Sequence, residues 1–182
     1  WRWVSTWGAL VRSPADLGFD ASAYALPPLH VDQITVQSDA RPDYGELFVR
    51  EAQTLSERRQ ARRDSMRHRV DACVQLIKDK NAISSDFLPN EKFLIWCELN
   101  AEQDALESAC KQAGITYASV RGATKAEEKE RLEREWRDPD GPQVFISKPS
   151  VFGWGMNWQH CRHILFVGVA DSFEAYYQAV RR

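Results

Sequence analysis

The second half of the chain alternates between two patterns of apolar and polar residues. Short, almost continuously apolar runs are typical of strands covered on both faces of a sheet. These runs are KFLIWC from Lys92, ITYASV from Ile115, QVFIS from Gln143 and HILFVGV from His163. The segments between them have the spacing of helices. This alternation predicts an α/β fold with a mostly parallel sheet flanked by helices.

Capping residues indicate where the helices between these strands begin and end. Asn100 can cap the helix in AEQDALESACKQAG, which we expect to close at Gly114. In GATKAEEKERLEREW, Thr124 is the predicted N-cap, and Glu127 three residues later completes a capping box. The acidic and basic residues interleaved in this second helix predict a solvated, salt-bridged face instead of catalytic carboxylates.

The final segment, SFEAYYQAVRR, predicts a helix with one buried stripe. Its apolar residues follow the i, i+3, i+4, i+7 spacing: Phe173, Tyr176, Tyr177 and Val180. Gln178 and Arg182 add polar groups four residues apart. Because no Gly, Asn or Pro ends this helix, and because the chain begins with Trp1, we expect both ends to be cut.

The first half of the chain predicts less regular structure. WRWVSTWGALVR, from Trp1, predicts a helix, and a connector rich in Pro and Gly follows it. HVDQITVQ, from His30, alternates as a strand does. Residues 46–80 are predicted to be helical, with one long helix from Thr54 to Lys80.

The middle of this long helix is strongly basic. The only acidic residues in this middle part are Glu57 and Asp64, against six arginines: Arg58, Arg59, Arg62, Arg63, Arg67 and Arg69. A solvated helix face is the favoured interpretation for most of them. The alternative is a surface that faces phosphates, or an interface with another domain.

Composition predicts a globular protein without a membrane span. The 182 residues, 43% hydrophobic and 27% charged, suit one domain or a domain with an appendage. Apolar runs are too short to cross a bilayer, and no signal peptide or lipidation motif is visible. Four widely spaced cysteines without a CxxC pair predict reduced thiols in the cytoplasm and no metal site. A net charge of −2 excludes general attraction to nucleic acid but not a local basic surface.

Polar residues follow each predicted strand. Parallel strands end at one edge of a sheet, where ligands of α/β proteins bind. The residues expected along this rim are Asn100, Arg121, Thr124, Ser147, Lys148, Gly155, Asn157, Asp171 and Ser172. The rim is polar, contains glycine and is biased towards positive charge, so it suits a ligand that carries phosphate.

The stretch GWGMN, from Gly153, is the most unusual part of this rim. Its glycines permit close backbone approach to a ligand, and Asn157 offers a donor and an acceptor. Trp154 and Trp158 could stack on a base, but packing in the core is the favoured interpretation. Neither a Rossmann fingerprint nor a Walker A motif is present. For His160 and His163 a surface connection is favoured over a metal site.

Taken in order, four stretches resemble the second RecA-like lobe of superfamily-two helicases, in particular its Swi/Snf-like, DEAD/DEAH-type branch of bacterial and prophage origin. They are KFLIWCELNAEQDAL, YASVRGATKAEEKERLEREW, VFISKPSVFGWGMNWQHCRHILFVG and EAYYQAVRR, and they match motifs IV, IVa, V and VI. The resemblance implies a three-layer RecA-like lobe over residues 31–182, cut within motif VI. Residues 1–30 resemble the segment that crosses from the first lobe, a helical and extended appendage.

The resemblance also implies roles for individual residues. Gln178 and Arg182 match the glutamine and first arginine of motif VI and would be catalytic; Gly155 and Asn157 would face ATP. Positions along the strand-binding surface are matched by Arg121, Gly122, Thr124, Ser147 and Lys148. The segment from Ser147 to Asn157 is one residue longer than is usual in the family and contains Pro149.

By resemblance, the chain is the C-terminal motor lobe of an ATP-dependent DNA helicase or translocase. ATP and Mg²⁺ would be shared with the first lobe of the same polypeptide, which would hold the metal, so the fragment alone is expected to be inactive. DNA would be held through its backbone. The alternative is a non-catalytic RecA-like module that contacts DNA or a protein through the arginine-rich helix. A stand-alone α/β enzyme is disfavoured, because no complete catalytic set is visible.

Overall fold

The computed structural model describes residues 2–9, 11, 13–22, 28–36, 51–79, 91–152, 156–169 and 171–180. The chain divides into two compact units, Trp1–Thr35 and Val36–Arg182. None of the helices within the described ranges is long and apolar enough to cross a membrane.

The first unit contains short 3-10 helices in place of the predicted elements. Val4–Thr6 and Pro14–Leu17 are 3-10 turns, the second begun by Ser13, whose N–H donates to Asp16. The helix predicted from Trp1 is therefore wrong beyond one short turn. Trp3 and Trp7 contact each other edge to face but remain exposed, so little burial stabilises a longer helix.

The strand predicted from His30 is also wrong. Residues 28–36 contain no regular secondary structure, and Val31 and Ile34 are exposed. Alternating side chains form a strand only where a neighbouring strand accepts the backbone hydrogen bonds, and the described residues supply none here.

The second unit carries the sheet and its helices. Its helices are α1 (Leu55–Asp64), α2 (Met66–Lys78), α3 (Asn100–Gln112), α4 (Ala126–Arg137), α5 (Pro149–Phe152) and α6 (Phe173–Val180). Its strands are β1 (Phe93–Trp96), β2 (Tyr117–Ser119), β3 (Val144–Ser147) and β4 (His163–Phe166). All pairs are parallel in the order β2-β3-β1-β4, which confirms the predicted α/β class.

Successive residues of the central strands pack into two different layers. Phe93 and Ile95 of β1 contact one cluster that includes α2 and α3. Leu94 and Trp96 contact a second cluster, which includes Trp136 of α4 and Ala179 of α6. Because alternate side chains of a strand point to opposite faces, helices cover both faces of the sheet. The fold is therefore the predicted three-layer arrangement.

The long basic helix is divided at Ser65. The Ser65 hydroxyl donates to the carbonyl of Ala61 at 2.7 Å, a back-bond that often bends helices. Two helices, α1 and α2, thus replace the single helix predicted from Thr54 to Lys80. Residues 51–53, predicted to be helical, precede α1 without helical structure, and residues 46–50 lie outside the described residues.

The predicted helix caps are partly wrong. Asn100 is the first helical residue of α3, and the cap is Leu99, whose N–H donates to the side chain of Glu102 at 3.0 Å. At α4 the cap is Lys125 instead of Thr124. Gly114 follows α3 with a φ of 70°, a left-handed conformation that glycine adopts without strain, so the predicted closure is confirmed.

The apolar stripe predicted for α6 is only partly buried. Ala179 is its buried residue, and Tyr176 packs against Phe166 of β4. Phe173 is 78% exposed and Tyr177 is 41% exposed, and their rings contact each other at 6.0 Å. The predicted burial of these two rings is therefore wrong, because the side of α6 that faces the sheet is centred on Ala179.

The four cysteines, Cys73, Cys97, Cys110 and Cys161, are all free and buried, in agreement with the prediction of reduced thiols.

Candidate functional site

Polar side chains lie at the carboxyl edge of the sheet, where each parallel strand ends and a loop begins. The strand order places the loop after β2 at one side, those after β3 and β1 in the middle, and that after β4 at the other side. Adjacent strands lie about 4.8 Å apart, so this edge spans roughly 14 Å. We call it the carboxyl edge below.

Lys148 and Asn100 meet at the centre of the carboxyl edge. The Lys148 ammonium donates to the Asn100 side-chain oxygen at 2.7 Å. Lys148 follows β3 and Asn100 opens α3 after β1, so the contact joins two neighbouring strand ends. Because the amide is neutral, it orients the ammonium without cancelling its charge.

Arg121, in contrast, is held by two carboxylates. Its guanidinium lies 2.6 Å from Asp104 and 2.7 Å from Glu107, both on α3. These hydrogen bonds, Glu107 first, raise the pKa of Arg121. Its positive charge is offset within the lobe, so a phosphate at this position would compete with both carboxylates.

The turn after Arg121 is closed by Thr124. The Thr124 hydroxyl accepts the N–H of Arg121 at 3.1 Å, and the Thr124 N–H donates to the Arg121 carbonyl. Gly122 is exposed at the tip of this turn, and a Cβ added there would meet nothing within 4 Å. Packing within the lobe therefore does not require glycine at this position.

The Ser147 side chain points towards the interior of the protein. It is fully buried, and its hydroxyl donates to the carbonyl of Val120 at 3.0 Å. The hydroxyl links the ends of β3 and β2 and does not face solvent.

Asn157 is not in the row with Arg121 and Lys148. Its carbonyl accepts a hydrogen bond from Arg137, the last residue of α4, at 3.2 Å. A crossover helix runs antiparallel to its strands, so the end of α4 lies towards the amino edge of the sheet. Gln178 is half-buried on α6. Gly155 and Arg182 lie outside the described residues.

Trp158 has the packing role favoured from the sequence. Its side chain is fully buried against Trp96, Trp136 and Phe145. Its indole N–H donates to Glu133 at 2.7 Å. Trp154 lies outside the described residues.

His163 belongs to an ionic cluster at the amino edge. Its Nε2 lies 2.7 Å from Glu91, which also pairs with Arg162. Burial, followed by the charge of Arg162, lowers the pKa of His163. Across the described ranges, no three His, Cys, Asp or Glu side chains are grouped so as to hold a metal ion.

A buried ion pair, which sequence reasoning missed, supports the carboxyl edge. Glu102 is fully buried and lies 2.8 Å from Arg69, which is 18% exposed. Arg69 also donates to the carbonyls of Val167, after β4, and Arg62, in α1. A Cβ on Gly168 would come within 2.3 Å of the Glu102 carboxylate, so the close approach requires glycine.

Helix α1 is attached to the same edge at its β4 side. Arg62 lies 2.8 Å from Asp171 in the loop before α6, and Arg58 lies 4.0 Å from the same carboxylate. Two of the arginines that the sequence suggested were solvated thus have a specific partner. No periodicity in the sequence indicates this contact, because the partners are 109 residues apart.

Comparison with protein families matches residues 69–182 to the helicase conserved C-terminal domain. That segment is more than half of the chain. The chain belongs to this family.

Two solved structures have a similar fold. The C-terminal part of the Fun30 ATPase domain aligns with 63% of this chain at 22% identity and a TM-score of 0.51. S. cerevisiae Dbp5 L327V bound to RNA and ADP BeF3 aligns with 64% at 14% identity and a TM-score of 0.52. The aligned parts cover 37% and 29% of those chains. Comparison with curated protein sequences gives no match.

At the carboxyl edge of this helicase C-terminal domain, the positively charged side chains therefore differ in whether a carboxylate offsets their charge. Lys148 is a cation bound only through a neutral group among its recorded contacts, whereas Arg121 and Arg62 face carboxylates. Helix α1 precedes the segment matched to the family, and α2 lies within that segment from Arg69 onwards.

Proposed function

We propose that this chain is the C-terminal motor lobe of an ATP-dependent DNA helicase or translocase of the Swi/Snf-like branch. Membership of the helicase C-terminal family supports this proposal, as does the RecA-like fold. In it, residues 31–182 form the lobe and residues 1–30 connect it to a first lobe of the same polypeptide.

Lys148 is the observation that carries the proposal. An ammonium at the end of a central parallel strand, held by an amide and not by a carboxylate, remains able to bind a phosphate. The Gly122–Thr124 turn follows the adjacent strand β2, and Arg121, which precedes this turn, would join after leaving Asp104 and Glu107. Contacts of this kind hold a strand by its backbone without reading its bases.

The ATP-dependent part of the proposal requires the first lobe of the same polypeptide as well as this chain. Gln178 of α6, with Gly155, Asn157 and Arg182, would contribute to a nucleotide site between lobes. ATP with Mg²⁺ would supply the reacting phosphate there, the metal held by the first lobe. An arginine that approaches only on closure of the lobes accelerates phosphoryl transfer by about 10³–10⁵ and couples it to movement.

The nucleic-acid part is tested on the 182-residue chain. We expect it to bind fluorescein-labelled 30-nucleotide single-stranded DNA in fluorescence anisotropy, with affinity that falls as salt rises. Lys148→Gln should weaken binding several-fold at low salt. Lys111→Gln, at the far end of α3, is the matched control and should bind like the wild type. Equal binding by both variants would remove Lys148 from the site.

The catalytic part is tested in a polypeptide that carries both lobes. Arg182→Ala should abolish DNA-stimulated ATPase activity while DNA binding is retained. Unchanged ATPase activity would instead support the non-catalytic module. The 182-residue chain alone should hydrolyse no ATP, and robust hydrolysis would contradict the assignment.

A further inference from the structure

Helix α1 is a well-defined helix that the core does not bury. Thr54 and Glu57 form a capping box at its start: the Thr54 hydroxyl accepts the Glu57 N–H, and the Glu57 carboxylate accepts that of Thr54. None of its residues is buried. Its four arginines outnumber its two carboxylates, so it is an exposed and basic element.

The four arginines of α1 form two stripes with different environments. Arg58 and Arg62 face Asp171. Arg59 and Arg63 are each one residue further along, which places them about 100° around the helix. Both are exposed, and no acidic partner is recorded for either among the residues that the structure describes. Their Cβ atoms, four residues apart, lie about 5–6 Å from each other.

The outer stripe is held in a fixed position. Arg69 of α2 donates to the carbonyl of Arg62, near the end of α1, and to that of Val167, after β4. The same guanidinium pairs with buried Glu102. With Asp171 holding the inner stripe, α1 is attached to the carboxyl edge beyond β4, and Arg59 and Arg63 project from it at a fixed place.

We propose that Arg59 and Arg63 bind consecutive phosphates of the nucleic-acid backbone, as an extension of the carboxyl edge past β4. This inference rests on the proposed function, since it needs a strand that crosses the same edge. The composition of α1 suits a surface that binds phosphates, because its residues supply positive charge and almost no large apolar side chains. Protein interfaces usually rely on buried aromatic and aliphatic anchors, and α1 offers only Leu55, at its first position.

The test compares two double variants that each remove two positive charges. In Arg59→Gln/Arg63→Gln the outer stripe is neutralised. In the control, Lys111→Gln/Arg134→Gln, exposed cations are removed from the end of α3 and from α4. Affinity of the 182-residue chain for 30-nucleotide single-stranded and 30-base-pair duplex DNA is measured by anisotropy between 25 and 300 mM salt, values chosen to span about a tenfold range.

We expect the outer-stripe variant to bind several-fold more weakly than the control at low salt. The slope of log affinity against log salt should become shallower by about 1.4 for single strands or about 1.8 for duplex, the loss of two phosphate contacts. Arg59→Lys/Arg63→Lys should retain most of the affinity, which separates loss of charge from damage to the helix. Circular dichroism confirms that each variant is folded.

Three outcomes would overturn the inference. If the outer-stripe variant matches the control while Lys148→Gln weakens binding, the proposed function stands and α1 is only a solvated helix. If the wild type binds neither DNA, both proposals fail. If poly-glutamate of equal charge binds as tightly as DNA and depends equally on Arg59 and Arg63, the stripe is a site for an acidic protein.

Discussion

Helices α1 and α4 are both rich in charge, but their charges are used differently. In α4, Arg131 pairs with Glu128 at 2.5 Å and with Glu135, and Arg137 pairs with Glu133 at 2.6 Å. These partners are one turn apart on one helix. In α1 the arginines that are paired bind Asp171, far along the chain, and two others remain without a recorded acidic partner.

The two helices also differ in how they are attached to the sheet. Trp136 fixes α4 through a fully buried indole that contacts Phe145 and Trp158. Helix α1 has no buried residue and is attached by ion pairs and by Arg69. In α4, neighbouring carboxylates on the same helix offset the positive charges. In α1, the long-range pairing with Asp171 involves only two of the four arginines, and the charge of the other two is available for a ligand. Charge content alone does not distinguish these cases.

The largest expected effect concerns the attachment of α4. Trp136→Ala should lower the free energy of unfolding by about 3–5 kcal/mol, because it opens a cavity among packed aromatic rings. Urea denaturation of the 182-residue chain measures this. Trp7→Ala removes an exposed indole of the first unit and should leave the midpoint unchanged. A small effect of Trp136→Ala would mean that α4 does not depend on this anchor.

The attachment of α1 should depend on Arg69. Arg69→Met leaves Glu102 buried without its cation and removes two main-chain hydrogen bonds, so we expect a loss of about 2–3 kcal/mol. Hydrogen exchange of the α1 amides should accelerate more than that of α4. Arg67→Met, on the exposed side of α2, is the control. Equal acceleration in both helices would show that α1 is not separately attached.

The smallest effect concerns the local pairs of α4. Arg131 lowers the pKa of Glu128 below its ordinary value of 4.5, chiefly through its hydrogen bond. Arg131→Gln should return this pKa towards that value, which an NMR titration measures, without a detectable change in the urea midpoint at pH 7. Because the folded-state pKa is lowered, any contribution exists above about pH 4.5 and is lost as the pH falls through the folded value. A clear midpoint shift would show that local pairs also hold α4.

The strands were predictable because a strand that is buried on both faces requires a short run of apolar residues, which is visible in the sequence. The runs containing Phe93–Trp96 and Val144–Ser147 are almost continuously apolar, and both strands are buried throughout. The first unit was not predictable in this way. Apolar residues such as Trp3 and Val31 form patterns there that no neighbouring surface in the described part of the chain covers.

The candidate site was less predictable than the fold. Lys148 and Asn100 were placed on one edge because each comes shortly after a strand, and they do meet. Asn157 was expected on the same edge, but its carbonyl contacts Arg137 at the end of α4, towards the opposite edge. The pairing of Arg69 with Glu102 depends on the approach of α2 to α3, which only tertiary packing defines.

The buried cysteines have a consequence for how the lobe can be observed. Thiols react as thiolates, and burial raises the pKa of Cys97 and Cys161 to about 12 and that of Cys110 to about 11, and also raises that of Cys73. At neutral pH the folded chain thus offers maleimide reagents almost no reactive sulfur. A single cysteine introduced at an exposed position such as Arg134 would carry a fluorophore without removal of any native thiol. The wild-type core is therefore already suited to site-specific fluorescence labelling.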